Sequence, residues 1–233
     1  MSKTVVYSCV TGKYDKVMTT ILGSSATPED DVSYVLFSDQ HTSETTFIAP
    51  GNHIEWSVRP PHWKHPLCQR RTARWHKLNS HVLFPDAEFV VWFDGSQRIK
   101  PIEVHRQLVV PCMADHDIAT FKHPDRTCVF QELAACTKLK KDNVALMEGQ
   151  MAMYQKAGYP TFNGMVETAC LVRRHTADTI RFNKLWWEQL QNYSYRDQLS
   201  FNYVSWKLNL KYGRIPGRRD TSEYCDFVKH GQG

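Results

Sequence analysis

The stretch EFVVWFDGSQRIK, Glu88 to Lys100, decides the fold. Phe89 to Phe93 is apolar at every position, with no polar residue to mark a wet face. A half-buried strand alternates with period two, so a short continuous apolar run fits a central strand covered on both faces. The run stops abruptly at Asp94-Gly95-Ser96. A carboxylate at the end of a buried strand has to be solvated, paired or bound. Asp-Gly is a common turn dipeptide. Ligands of open α/β sheets also bind beyond the carboxyl ends of strands. The stretch alone supports both readings. In the second, Asp94 holds a divalent cation, and Gly95 leaves room for close approach of ligand or backbone.

Upstream, strand-like runs occupy Thr4 to Val10, Val32 to Phe37 and Ile54 to Val58, and a helical segment reaches from Pro66 to a stop at Pro85. On that segment Leu67, Arg71, Trp75, Leu78 and Val82 form one stripe, with Arg70, Arg74, Lys77 and His81 beside it. No carboxylate stands four residues from Arg70, Arg74 or Lys77 to pair with them along the helix. Such a cationic stripe is either solvated or meets a polyanion such as a diphosphate, for which arginine forks are well shaped. Downstream, helices are expected over Arg126–Leu139, Val144–Ala157, Ala177–Tyr193 and Tyr195–Leu208, with a strand over Val166–Arg173. Strands interleaved with helices argue for an α/β, largely parallel sheet.

The 233 residues carry 42% hydrophobic and 12% aromatic side chains, which suits one globular domain, 1–233. A net charge of +5 admits an anionic ligand without requiring nucleic acid. The seven cysteines are irregularly spaced, with no CxxC pair, and read as reduced thiols. No apolar run is long enough to span a membrane, and the N-terminus lacks the features of a signal peptide; a cytoplasmic location is expected. GxGxxG and GxxxxGK[ST] are both absent, which disfavours nicotinamide-binding and P-loop enzymes. His62, His65 and Cys68 recur at three-residue intervals, but the prolines among them argue against a metal-binding helix.

Other candidates are local. Asp39 ends the second strand and reads as a cap, a turn or a second crevice carboxylate. His123, Asp125 and Arg126 precede a helix, which Asp125 can cap. Glu167 interrupts an apolar strand, a costly place for a carboxylate without a partner. Asp197 and Gln198 open the last helix, where acidic residues favour the helix dipole. Trp186, Trp187 and Trp206 fit either a core or a sugar-stacking surface.

Taken in order, VVYSCVTGKYDK, VSYVLFSD, RRTARWHK, VVWFDGS, HPDRTCVFQE, FNGMVETACLVRRHT, LWWEQL and RDQLSFNYV resemble the glycosyltransferase-like domain of plant Golgi mucilage- and pectin-related proteins, over roughly Thr4 to Leu208. More distantly, the layout is similar to glycogenin-like and galactosyltransferase-like enzymes. The resemblance implies a GT-A fold: a Rossmann-like mixed sheet flanked by helices, with a nucleotide-binding half over about 1–100 and a helix-rich acceptor and catalytic half over about 101–233. It implies transfer of a sugar from a nucleoside-diphosphate sugar, with UDP the expected carrier, to a carbohydrate acceptor. Asp94 then matches the first carboxylate of a DxD motif whose third position is Ser96. Asp94 with His230 would hold Mn2+ or Mg2+. Asp39 would contact base or ribose; Arg70, Arg74 and Lys77 the phosphates; Gln198 the donor. Asp197 is the first choice for the essential carboxylate and Glu167 the second. The alternatives are a nucleotidyltransferase or hydrolase acting on nucleotide sugars, and a carbohydrate-binding domain without catalysis.

Overall fold

The computed structural model describes residues 4–12, 24–49 and 53–228; His230 lies outside them. Eight described strands form one sheet in the order β3-β4-β2-β1-β5-β8-β7-β9. They are β1 (Thr4–Val10), β2 (Val32–Ser38), β3 (Thr45–Ile48), β4 (Glu55–Arg59), β5 (Phe89–Phe93), β7 (Ile118–Lys122), β8 (Val166–Arg174) and β9 (Gly213–Ile215). A separate ribbon pairs β6 (Gln97–Ile99) with β10 (Cys225–Phe227), antiparallel. The helices are α1 (Gln69–Leu78), α2 (Ser80–Leu83), α3 (Val110–Cys112), α4 (Val129–Lys138), α5 (Val144–Lys156), α6 (Ala177–Asn192) and α7 (Gln198–Lys207), with a π-helical segment, Val104–Val109, leading into α3.

β5 is central and all five of its residues are buried. At roughly 1.5–3 kcal/mol per large apolar side chain, its hydrophobic run fixes where the strand stops and hence where Asp94 stands. The sheet is mixed. β4, β2, β1 and β5 are mutually parallel, and β8 then enters antiparallel between β5 and β7. That placement departs from the largely parallel sheet expected from strand–helix alternation. β8 brings its N-terminal end, not its C-terminal end, to the edge where β5 finishes, so Glu167, Thr168 and Asp94 meet. The register of β7 against β8 shifts between Thr120 and Phe121, opposite Glu167. A bulge of this kind bends the strand and re-aims its side chains.

Two apolar clusters cover the sheet. One holds Tyr7, Leu78, Trp92, Trp186 and Phe201, beneath the helices; the other holds Val6, Val91, Phe121, Leu108 and Cys170. Trp186 is wholly buried, which removes it as a sugar-stacking surface, and Trp187 packs edge-on against Trp63. All seven cysteines are free thiols.

The long helical segment is broken at Asn79, whose side chain donates to the Trp75 carbonyl. The expected apolar stripe is therefore fully buried only at Leu78; Leu67 is 92% and Val82 47% exposed. Beside Leu78, α1 buries Thr72, His76 and Lys77. Neutral His76 accepts from the His62 amide at Nε2 and so donates from Nδ1 to the Thr72 carbonyl. Burial holds its pKa down to about 4. That bond employs the backbone beside His62 in a turn, and among the described residues no group of three His, Cys, Asp or Glu converges on a common point.

Candidate active site

Four charged side chains meet where β5, β8, α1 and α7 converge. Lys77 and Arg74 come from successive turns of α1, Asp94 from the end of β5, and Asp197 from the residue before α7. Lys77 Nζ lies 2.5 Å from Asp197 Oδ2 and 3.1 Å from Asp94 Oδ1. It also donates to Thr168 Oγ1 at 3.3 Å. Arg74 sits 3.3 Å from each carboxylate, its Nε on Asp197 and a terminal nitrogen on Asp94. Trp92 Nε1 donates to Asp94 Oδ1 at 2.7 Å, and Thr168 Oγ1 donates to Asp197 Oδ2 at 2.7 Å.

The lysine is fully buried, a state that costs several kcal/mol unless the charge is paired and hydrogen-bonded. An ammonium has three donors, and here it meets three oxygens. Burial lowers the Lys77 pKa, and the two carboxylates oppose that shift. Burial would raise the Asp197 carboxyl, but Arg74 and Lys77 outweigh it and hold the group well below the usual carboxylate range. The helix end that carries Lys77 is itself pinned. Buried Arg173 of β8 donates to the Lys77 carbonyl at 2.7 Å and to the Tyr7 hydroxyl at 2.6 Å. A cation at a helix C-terminus offsets the orphan carbonyls and the dipole there.

In front of this cluster opens a cavity of about 760 Å³. Six cationic side chains and four carboxylates of the described residues line it. Its far wall carries two more ion pairs. Glu167 Oε1 meets Arg219 at 2.9 Å, while Glu167 Oε2 is buried with no hydrogen-bond partner among the described residues. Burial raises the Glu167 carboxyl above its ordinary value, with Arg219 opposing. Glu132 on α4 meets Arg126 at 2.5 Å, and His123 accepts from the Asp125 and Arg126 amides, closing the loop ahead of α4.

Most residues expected from the sequence converge here: Arg70, Arg74, Asp94, Gly95, Ser96, Glu167, Asp197 and Gln198 line the cavity, with Lys77 directly behind them. Arg74 and Lys77 of the cationic stripe are paired after all, through carboxylates supplied by other elements. The turn at Asp94 is also real, since the Gln97 amide donates to the Asp94 carbonyl at 2.8 Å. Asp197 occupies the N-cap position of α7, yet its side chain makes no capping bond and serves the charge cluster instead. Gln198 ties α7 to β8 by donating to the Val166 carbonyl at 3.1 Å. Two expectations fall elsewhere. Asp39 does not line the cavity; both its oxygens accept from the Gly12 amide at 2.9 Å, bracing the loop after β1. Gly12 has φ +69°, so a side chain there would be strained. Asp125 does not cap α4, whose N-cap is Cys128. Glu132, Thr168, Arg196 and Arg219 were not singled out from the sequence. Thr168 follows Glu167 directly and was within reach of that reading, whereas Arg219 stands in an irregular segment with no periodicity to expose it.

A divalent cation needs several oxygens at about 2.0–2.6 Å. Among the described residues Asp94 Oδ1 does not fit one, because it already receives an ammonium, a guanidinium and an indole N–H.

The model of the TOD1/MUCI70 glycosyltransferase-like domain matches residues 1–218. The chain belongs to that family. Two relatives from Arabidopsis thaliana are similar to it. Alkaline ceramidase TOD1 is 32% identical over 145 residues, covering 56% of this chain and 30% of that protein. Probable hexosyltransferase MUCI70 is 24% identical over 200 residues, covering 78% of this chain and 34% of that protein. The matches thus span about a third of each relative. Among solved structures, the WbbM bifunctional glycosyltransferase in its apo form superposes with a TM-score of 0.52 at 9% identity, over 92% of this chain and 38% of that one. That likeness concerns the fold, which is the mixed-sheet α/β architecture of a GT-A type glycosyltransferase. Among the described residues no helix is long and apolar enough to cross a membrane. Arg219 and Phe227, which reach the cavity, lie beyond the family match.

Proposed function

We propose that this chain transfers a sugar from a nucleoside-diphosphate sugar, with uridine the expected base, to a hydroxyl of a glycan or glycoconjugate. The observation that carries this reading is the cation-rich cavity at the end of β5, with a partly unpartnered carboxylate, Glu167, on its far wall. Rupture of the bond between the anomeric carbon and the diphosphate sends the electron pair to the diphosphate. Preorganised cations placed where that charge develops stabilise the transition state. Arg70 and Arg74 face the cavity from successive turns of α1 and take this part. The anomeric carbon becomes electron-poor as the acceptor oxygen closes on it, and the acceptor's proton needs a base.

Glu167 suits that last task better than Asp197. Asp197 is gripped by two cations and a hydroxyl, which makes it a weak base. Glu167 has a raised pKa and an oxygen with no partner. Asp197 then acts as the counter-charge that keeps Lys77 and Arg74 in place. The test is a panel of nucleotide sugars scored for donor hydrolysis and transfer, with anomeric NMR reading the product's configuration. Turnover of none of them by the chain sinks the reading.

The 32% identity to a protein named alkaline ceramidase favours a second reading, amide hydrolysis of a lipid. Leu67 and Leu139 at the cavity wall are 92% and 62% exposed and would meet an alkyl chain. Release of fatty acid from ceramide by the purified chain, lost on Glu167→Gln, would establish it.

A further inference from the structure

We propose that the donor's diphosphate binds here without a divalent cation, because the Lys77 ammonium takes the position from which a metal would bridge Asp94 and Asp197. The inference rests on the donor reading given above and adds how that donor's charge is met.

The geometry around Lys77 is that of a bound cation. Its nitrogen bridges one oxygen from each carboxylate, Asp197 Oδ2 at 2.5 Å and Asp94 Oδ1 at 3.1 Å, and the Thr168 hydroxyl at 3.3 Å completes the set. The ammonium's donors are thereby all used. An ion at the same carboxylate oxygens would stand within a few ångströms of this buried charge and of Arg74, in surroundings that screen little. It would displace hydrogen bonds to both and repel both. The third position of the DxD pattern is Ser96, a neutral side chain in a buried turn, so no second carboxylate follows Asp94 to rebalance that charge.

The cavity supplies the diphosphate's counter-charge by other means. Each of its four carboxylates already has a cationic partner: Asp94 and Asp197 share Lys77 and Arg74, Glu132 has Arg126, and Glu167 has Arg219. Lys141 and Arg196 line the space in addition. The walls are therefore positive beyond their internal pairing, as an anion site requires, before any metal is counted. Arg74 is the hinge of the arrangement. Its side chain keeps 19% exposure while touching both carboxylates, so it is the member of the cluster able to meet the ligand.

The experiment is calorimetric titration of the full chain with UDP, GDP and inorganic pyrophosphate, each with a chelator and with manganese. Affinity for at least one nucleoside diphosphate is expected to change less than about threefold between the two conditions. Arg74→Gln, with its fold checked by circular dichroism, is expected to weaken that affinity roughly tenfold or more in chelator, as for loss of a charged hydrogen bond. Binding that needs manganese, with more than about tenfold loss on chelation, overturns the proposal and leaves the donor reading standing. Absence of binding in both conditions overturns both. Lys77→Met sharpens the assignment. A folded variant that has acquired manganese dependence supports it, and one that binds nucleotide in chelator as the parent does overturns it. Should that variant not fold, the parent protein's response to chelator decides alone.

Discussion

The two walls of the cavity hold carboxylates of opposite character. On the α1 wall, Asp94 and Asp197 share an ammonium, a guanidinium, an indole and a threonine hydroxyl. On the β8 wall, Glu167 has one guanidinium and an oxygen with nothing to bond. Burial pushes the carboxyls of Asp197 and Glu167 upward, and the cations beside each oppose it with different success. Asp197 ends well below the ordinary range and Glu167 above it. One wall holds its charges fixed; on the proposed mechanism the other would let a proton come and go. Environments that push two carboxylates' pKa values apart are the usual way in which a single site hosts both anchoring and proton transfer.

The strongest way to break the contrast is Asp197→Ala. It leaves Lys77 buried with one carboxylate fewer, and removal of one partner from such a pair costs about 3–5 kcal/mol. Urea denaturation is expected to show that loss, together with loss of donor hydrolysis; a change below about 1 kcal/mol would mean that the cluster is not the anchor described. Glu167→Gln comes next. It is expected to reduce transfer about 10²–10⁴-fold while leaving the unfolding midpoint nearly in place. A variant that keeps its rate but unfolds early would exchange the roles of the two walls.

The pH dependence separates the walls by sign. Asp197, with its depressed pKa, contributes stability that is present above the unfolded aspartate's pKa and is lost as pH falls through the folded value. Glu167, with its raised pKa, contributes stability present below the unfolded glutamate's pKa and lost as pH rises through the folded one. As a base, Glu167 works only when ionised, so the rate should climb with pH through an acid limb above the ordinary glutamate range. The smallest effect is expected from Arg219→Ala. That guanidinium opposes the burial of Glu167, so its loss should move the acid limb to higher pH; solvent screening of a side chain one-third exposed keeps the shift small. A limb that moves to lower pH would show that Arg219 does not hold Glu167.

The framework of this site was legible in the chain because local signals carried it. The apolar run of β5 located Asp94. The helical spacing of Arg70, Arg74 and Lys77 put cations on neighbouring turns, and RDQLSF placed Asp197 at a helix start. The pairing was not legible. No carboxylate lies four residues either way from Lys77, whose partners come from the end of β5, 17 residues on, and from the entrance to α7. Nor could periodicity show that α1 turns its basic side inward and leaves Leu67 in solvent. That reversal follows from the four-way charge cluster, which makes a buried lysine tolerable only after β5, β8 and α7 are assembled around it. β6, β9 and β10 are too short to announce themselves, with three residues each.

The β6–β10 ribbon has a consequence in time. The loop that follows Asp94 is fastened by residues distant from it in sequence: the Val228 amide donates to the Ser96 carbonyl at 2.9 Å, and Lys100 reaches Asp226 at 3.1 Å. Asp94 and β6 precede β10 by more than half of the described chain, so Asp94 is made well before the strand that clamps its loop. A nascent chain therefore carries the carboxylate of the cleft before it has the ribbon that fixes the turn behind it.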